Sequence, residues 1–237
     1  EDENFEKLCK VAGLDPATSA IIIPAGNGDN NIDMSGITDT TPTLTYTGSG
    51  DDNIVLSDQG FHVVFAGDGQ DTITAGAGAT GEYWIIGGGG RDTITVGGTG
   101  STLIFSDDDY GLRDEFLAAF AAGGFNKAAA EAIVAGQWGD QNKTLDDFKT
   151  SYTQSTQSIA GSDADVVTVG SGDHVIFAGA GADSITTGGA SGTVEIYGGA
   201  GDDTINGNGD FVTVEGGAGA DRIFLGDGQN KAYGWSA

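Results

Sequence analysis

The chain has one cysteine, Cys9, so no internal disulfide can hold it together. Basic residues are scarce, 9 against 35 acidic, for a formal net charge of -26. A surface this negative repels nucleic acid and anionic membranes. No apolar run approaches the length of a membrane-spanning helix. No basic-then-apolar leader opens the chain, and EDENFEKLCK reads as an internal start of a longer one. A phosphate-binding GK[ST], a zinc-protease HExxH and a nucleophile GxSxG are all missing. GAGATG (76–81) has dinucleotide-like glycine spacing but leads into a strand rather than a helix, so the match is formal only.

Glycine is abundant: 43 residues, against only 3 prolines. There is no strict three-residue glycine period, which excludes a collagen helix. Hydrophobic residues make up 38%, too many for a disordered glycine-rich linker. A folded chain with many tight turns is indicated.

A repeat organises the turns: glycine, any, glycine, any, aspartate, any, aliphatic. The fullest copies are GGAGDDTIN (198–206) and GGAGADRIF (216–224), with AGAGADSIT (178–186), GGGGRDTIT (87–95), AGDGQDTIT (66–74) and TGSGDDNIV (47–55) close behind. AGNGDNNID (25–33) carries Asn30 at the aspartate position, and AGSDADVVT (160–168) is degenerate. The aligned aspartates are Asp52, Asp71, Asp92, Asp165, Asp183, Asp203 and Asp221. Successive intervals are 19, 21, 73, 18, 20 and 18 residues. The long interval is one coil of about 20 plus an insertion of roughly 53. A second glycine column lies half a coil away. Its aspartate position is filled by His62, Tyr83, Thr102, His174, Val194, Phe211 and Asn230, none of them acidic.

Each coil therefore reads as two glycine turns and two short strands, with one acidic turn. The aliphatic residue two after each aspartate (Ile54, Ile73, Ile94, Val167, Ile185, Ile205, Ile223) points inward, and its neighbours point out. Stacked coils lie about 4.8 Å apart, which makes the aspartates a ladder of like charges. Such a ladder needs a cation between its rungs. Calcium suits it, because calcium accepts six to eight oxygens in flexible geometry, backbone carbonyls included.

These repeats resemble the glycine-rich nonapeptides of the RTX (repeats-in-toxin) family, over roughly residues 25–105 and 160–234. The resemblance implies a right-handed parallel β-roll, an all-β solenoid in two blocks, binding several calcium ions. It implies as metal ligands the seven aspartates, with Asn30 as a weaker member. It also implies the backbone carbonyls of Ser49, Asp68, Gly89, Ala180, Ala200 and Ala218. Because the second column lacks acids, calcium is expected along one edge only, in about five or six sites.

The expected organisation is a helical cap over 1–20, a first roll block over 21–105, a helical insertion over 106–159 and a second block over 160–237. Phe5, Leu8, Cys9 and Ala12 share one side of the cap helix. Leu112, Phe116, Leu117 and Phe120 fall at helical spacing in the insertion, an apolar stripe suited to packing on the roll. At the far end, either Tyr233 and Trp235 cover the last coil or the chain continues. Asp107, Asp108 and Asp109 lie outside the repeat and read as an N-cap at the exit from the roll. His62 and His174, a conceivable zinc or catalytic pair, read as turn residues several coils apart.

The function expected is a non-enzymatic calcium-binding module of a larger secreted bacterial protein of toxin, adhesin or surface-layer type. It would fold outside the cell as calcium binds. Its partners would be calcium, the parent chain and a possible cell-surface glycan or protein ligand, with no nucleic acid. The rival is a ligand-binding adhesin module using the insertion or the outward array Thr72/Thr74, Thr93/Thr95, Ser184/Thr186 and Thr204/Asn206. That array resembles an ice-binding face but is interrupted by Val166, Arg222 and Phe224, and threonine is in any case a favoured exposed strand residue. A polysaccharide-acting enzyme would need a groove of acids with Tyr, His or Lys outside the calcium column, and none has clear spacing.

Overall fold

A computed structural model describes residues 21–107, 163–189 and 191–234. The expected cap over 1–20, and the expected helices of the insertion, lie outside these residues. The described residues make eight two-strand coils and begin a ninth. In order they are β1 (Ile21–Pro24) and β2 (Asn31–Asp33), β3 (Thr43–Tyr46) and β4 (Asn53–Val55), β5 (Phe61–Asp68) and β6 (Thr72–Ala75). β7 (Glu82–Gly89) and β8 (Thr93–Val96) follow, then β9 (Ser101–Phe105) and β10 (Val166–Val169). The last are β11 (His174–Phe177) and β12 (Ser184–Thr187), β13 (Thr193–Ala200) and β14 (Thr204–Gly207), β15 (Phe211–Ala218) and β16 (Arg222–Leu225), and β17 (Lys231–Tyr233).

Odd-numbered strands form one nine-stranded sheet and even-numbered strands an eight-stranded one. Every pairing is parallel. This is the β-roll expected from the repeat. The insertion leaves the register intact: β8 pairs with β10 and β9 with β11 across it. The two blocks are therefore one continuous stack.

Between the sheets lies a narrow core built from two facing files. One runs Ile54, Ile73, Ile94, Val167, Ile185 and Ile205, all buried, with Ile32 and Ile223 half-buried at its ends. The other runs Val64, Ile85, Ile104, Ile176, Ile196 and Val214. Period-two alternation fixes which residues reach it, and a one-residue slip would expose the whole file. That constraint corrects one alignment. Phe211 pairs with Thr193 on the outside, and Val212 takes the inward position beside Val194. Placing Phe211 in the column would turn Val212 and Val214 to solvent; Phe211 is instead 49% exposed. Tyr233 sits on β17 at 53% exposure, and Trp235 lies outside the described residues.

The β-branched file carries the stack, so Ile94→Ala is expected to destabilise the folded protein by about 2–5 kcal/mol, as for other buried Ile→Ala changes. Thr93→Ala, one residue away on the exposed side, should stay within about 0.5 kcal/mol. Thermal melts of the two variants in saturating calcium make the comparison.

Candidate metal ladder

The acidic turns lie at one edge of the roll, between each odd strand and the even strand that follows. Glycine makes these turns possible at the second repeat position. Gly199 has φ 106, and a Cβ there would fall on the carbonyl oxygen of Gly179 in the coil below. Successive turns thus nest backbone on backbone, leaving room for no side chain.

The nesting brings the aspartates into one column with a repeated bond. The backbone N–H of each rung donates to Oδ1 of the next: Asp52 to Asp71 at 2.8 Å, Asp71 to Asp92 at 2.9 Å, and Asp92 to Asp165 at 2.7 Å. It continues from Asp165 to Asp183 at 2.9 Å, Asp183 to Asp203 at 2.9 Å and Asp203 to Asp221 at 3.1 Å. The bond from Asp92 to Asp165 spans the insertion. The sequence column is therefore a continuous physical column, and Asp221, half-buried, ends it.

The second carboxylate oxygens behave differently. Oδ2 of Asp52, Asp71, Asp92, Asp165, Asp183 and Asp203 is buried and has no hydrogen-bond partner. A buried carboxylate oxygen without a partner is costly, and six in register demand a common explanation. A hard cation fits them, because it supplies positive charge to each Oδ2 and draws its remaining oxygens from turn carbonyls. Among the described residues no three His, Cys, Asp or Glu side chains gather round one point. The donor set is instead about one carboxylate per coil plus backbone oxygen, suited to calcium and ill-suited to zinc.

Burial pushes the carboxyls of Asp71, Asp92, Asp165, Asp183 and Asp203 upward, and like-charged neighbours add to it, against the lowering effect of the N–H bonds. Asp92 and Asp183 are raised to about 8, Asp165 and Asp203 to about 7, and Asp71 to about 6. The protein alone thus shifts these groups towards the protonated form, where calcium would require the ionised one.

Asn30 shows what a donor does at this place. Its amide nitrogen donates to the carbonyls of Gly26 and Gly28 and to Asp52 Oδ1. The turn carbonyls of the second and fourth repeat positions therefore converge on the sixth. Placed in the ligand column from the sequence, Asn30 offers its NH2 rather than an oxygen, and it closes the end of the ladder. The third-position carbonyls lie differently. Those of Ser49, Asp68, Gly89, Ala200 and Ala218 each accept an N–H from the fourth position of the preceding coil, which engages one lone pair. Ala180 bridges to Ala200 in the same stack.

Asp107 was not assigned to the column from the sequence. It is buried, its Oδ2 accepts the Ala180 N–H at 2.6 Å, and its charge helps raise Asp92, Asp165 and Asp183. It thus adds an acid where the insertion leaves the roll. No spacing signal marks it, because the insertion interrupts the repeat at that turn.

At the opposite edge the inward position of the turn is filled by neutral groups that are bonded within the roll, while Asp58 and Asp173 sit beside it in the turns. His62 Nε2 donates to the Gln59 carbonyl at 2.7 Å, so Nδ1 accepts from Thr43 at 2.7 Å, and the ring stacks on Tyr83. His174 Nε2 donates to the Gly170 carbonyl at 3.3 Å and Nδ1 accepts from Thr102 at 3.1 Å. Burial lowers the pKa of both histidines. Three strand steps, about 14 Å, separate them, so they form no pair. On the outer side of the eight-stranded sheet, Thr74, Thr95, Thr168, Thr186 and Asn206 form an unbroken file; Val166 interrupts its neighbour.

The RTX calcium-binding nonapeptide repeat matches this chain in 4 copies, over residues 46–79, 159–194 and 196–232. Comparison with curated proteins and with solved structures gives no significant match. The repeat matched is the one whose aspartates make the column, and it binds calcium. Asp92 stands outside the matched stretches, yet its bonds to Asp71 and Asp165 place it in the same ladder.

Two outcomes follow from this geometry. A carboxyl whose folded pKa is raised stabilises the fold when protonated and penalises it when ionised. The chelated chain should therefore be less strongly disfavoured as a fold, and gain β signal, as pH falls from 8 to 6, while calcium affinity weakens over the same range; far-UV circular dichroism of the chelated protein and calcium titrations at each pH read both. Gly199→Ala should cost more than about 2 kcal/mol, from its positive φ and the carbonyl it would strike, measured by denaturant unfolding in calcium.

Proposed function

We propose that this chain, which carries RTX calcium-binding nonapeptide repeats, is a non-enzymatic structural module whose folding is driven by calcium outside the cell. The observation that carries this reading is the file of six buried Oδ2 atoms without partners. The side chains of Asp52, Asp71, Asp92, Asp165, Asp183, Asp203 and Asp221 would hold the ions, with turn carbonyls completing each site. Those of the second and fourth repeat positions are favoured by the contacts of Asn30. The third-position carbonyls retain one lone pair each. Bound calcium supplies the counter-charge that the ladder lacks.

The energetic logic sets the compartment. In low calcium, a chain of net charge -26 with several carboxylates to bury is disfavoured as a compact state. In millimolar calcium, binding free energy becomes folding free energy. A protein built this way suits export as an unfolded chain followed by folding outside a bacterium, as one part of a larger secreted or surface protein. The absence of an acid from the inward column of the second edge, where His62, Tyr83, Thr102 and His174 stand, supports calcium on one side only. A catalytic role finds no support in the two histidines, whose ring nitrogens are both engaged in the core.

Far-UV circular dichroism of the chelated protein during calcium titration tests the reading. A cooperative rise in β signal is expected, with a midpoint several-fold higher for Asp203→Ala. A chelated protein already fully β, whose melting calcium does not alter, would sink it.

A further inference from the structure

The two sheets differ on their outer sides. On the eight-stranded sheet, β6, β8 and β10 alternate between buried inward residues and exposed or half-exposed outward ones, the normal pattern of a sheet facing water. On the nine-stranded sheet, β5 and β7 are buried on both faces for most of their length. The outward residues there are large and apolar. One outward file reads Leu44, Val63, Trp84 and Leu103; the next reads Phe65, Ile86, Phe105 and Phe177. All eight are buried, including Trp84 at 7% exposure and Phe177 at 1%.

The described strands all belong to the two sheets of the roll, and none of them lies over this outer face. Burial and chemistry change together along the stack. Past β11 the first file continues as Glu195 and Thr213, and the second as Tyr197 and Glu215, all half-exposed. At the other end, Ile22 is half-exposed and Pro24 exposed. The covered strip is thus confined to β3–β11, and its middle lies on β7 and β9. The chain leaves the roll at Asp107, two residues after Phe105, and returns at Asp163. Residues 1–20 join instead at β1, where the outer face is open.

We propose that the outer face of the nine-stranded sheet, from β3 to β11, is a docking surface for residues 108–162 of the same chain. The contact is apolar: the strip meets Leu112, Phe116, Leu117 and Phe120, which recur at three- and four-residue spacing. The insertion is then an internal cover for a sheet face that would otherwise join copies of the protein, since an exposed apolar patch of this extent promotes association. It also accounts for a roll whose two outer faces have opposite character. The inference is independent of metal binding.

Two variants of the full chain test it, both in saturating calcium. In one, residues 108–162 are replaced by a short Gly/Ser bridge from Asp107 to Asp163. In the other, Phe116→Asp and Phe120→Asp are combined at unchanged length. Light scattering and binding of a hydrophobic dye are read beside circular dichroism. Both variants are expected to keep the calcium-dependent β signal, to bind dye at least several-fold more than the parent, and to self-associate. If the bridged variant does not fold, the double variant decides by the same readouts. Variants that stay monomeric and bind no more dye would overturn the proposal. So would transfer of the effect to a chain lacking residues 1–20.

Discussion

Like charge held at close range along one edge is the constraint on which this protein is built. A parallel stack repeats each side chain about every 4.8 Å, so an aspartate at a fixed place in the turn becomes a column of aspartates. Backbone N–H groups satisfy Oδ1 at every rung from Asp52 to Asp203, and Oδ2 is left for something the polypeptide does not supply. The upward shift of the carboxyls from Asp71 to Asp203 expresses the same deficit. On the proposed reading, folding and cation binding are one equilibrium.

The core accommodates this arrangement. Two files of β-branched and leucine-sized residues meet between the sheets, one residue deep from each side. Such a thin core leaves little margin to bury uncompensated charge. The far edge avoids the problem by using neutral groups: His62, Tyr83, Thr102 and His174 bond to neighbouring hydroxyls and carbonyls. The two edges solve the same turn geometry with opposite chemistry, one by internal hydrogen bonds and the other by an external ion.

Repetition also explains how a long insertion is tolerated. Each coil contacts only its neighbours, so chain can leave at one turn if the next coil re-enters in register. Here the register survives because β10 takes the place on β8, and β11 the place on β9, that an uninterrupted coil would take. Asp107 and Asp163 mark the edges of the break, and both bond to the neighbouring turns at Ala180 and Gly90.

The coil, the acidic column and its ion are legible from the residue pattern alone, because a solenoid converts a local pattern into a spatial one without long-range choice. Ile94 faces inward and Asp92 joins the ladder for reasons visible in nine residues. The remaining features depend on contacts between coils. The register that places Val212 rather than Phe211 in the second column is set by pairing with Val194. The amide of Asn30 shows which turn carbonyls converge, since carbonyl direction follows from backbone torsion and not from residue type. Asp107 enters the acidic edge because the broken turn folds back beside Ala180. The burial of Trp84 and Phe105 on the outside of a sheet was not legible either: period two reveals which residues share a face, but not what lies over it.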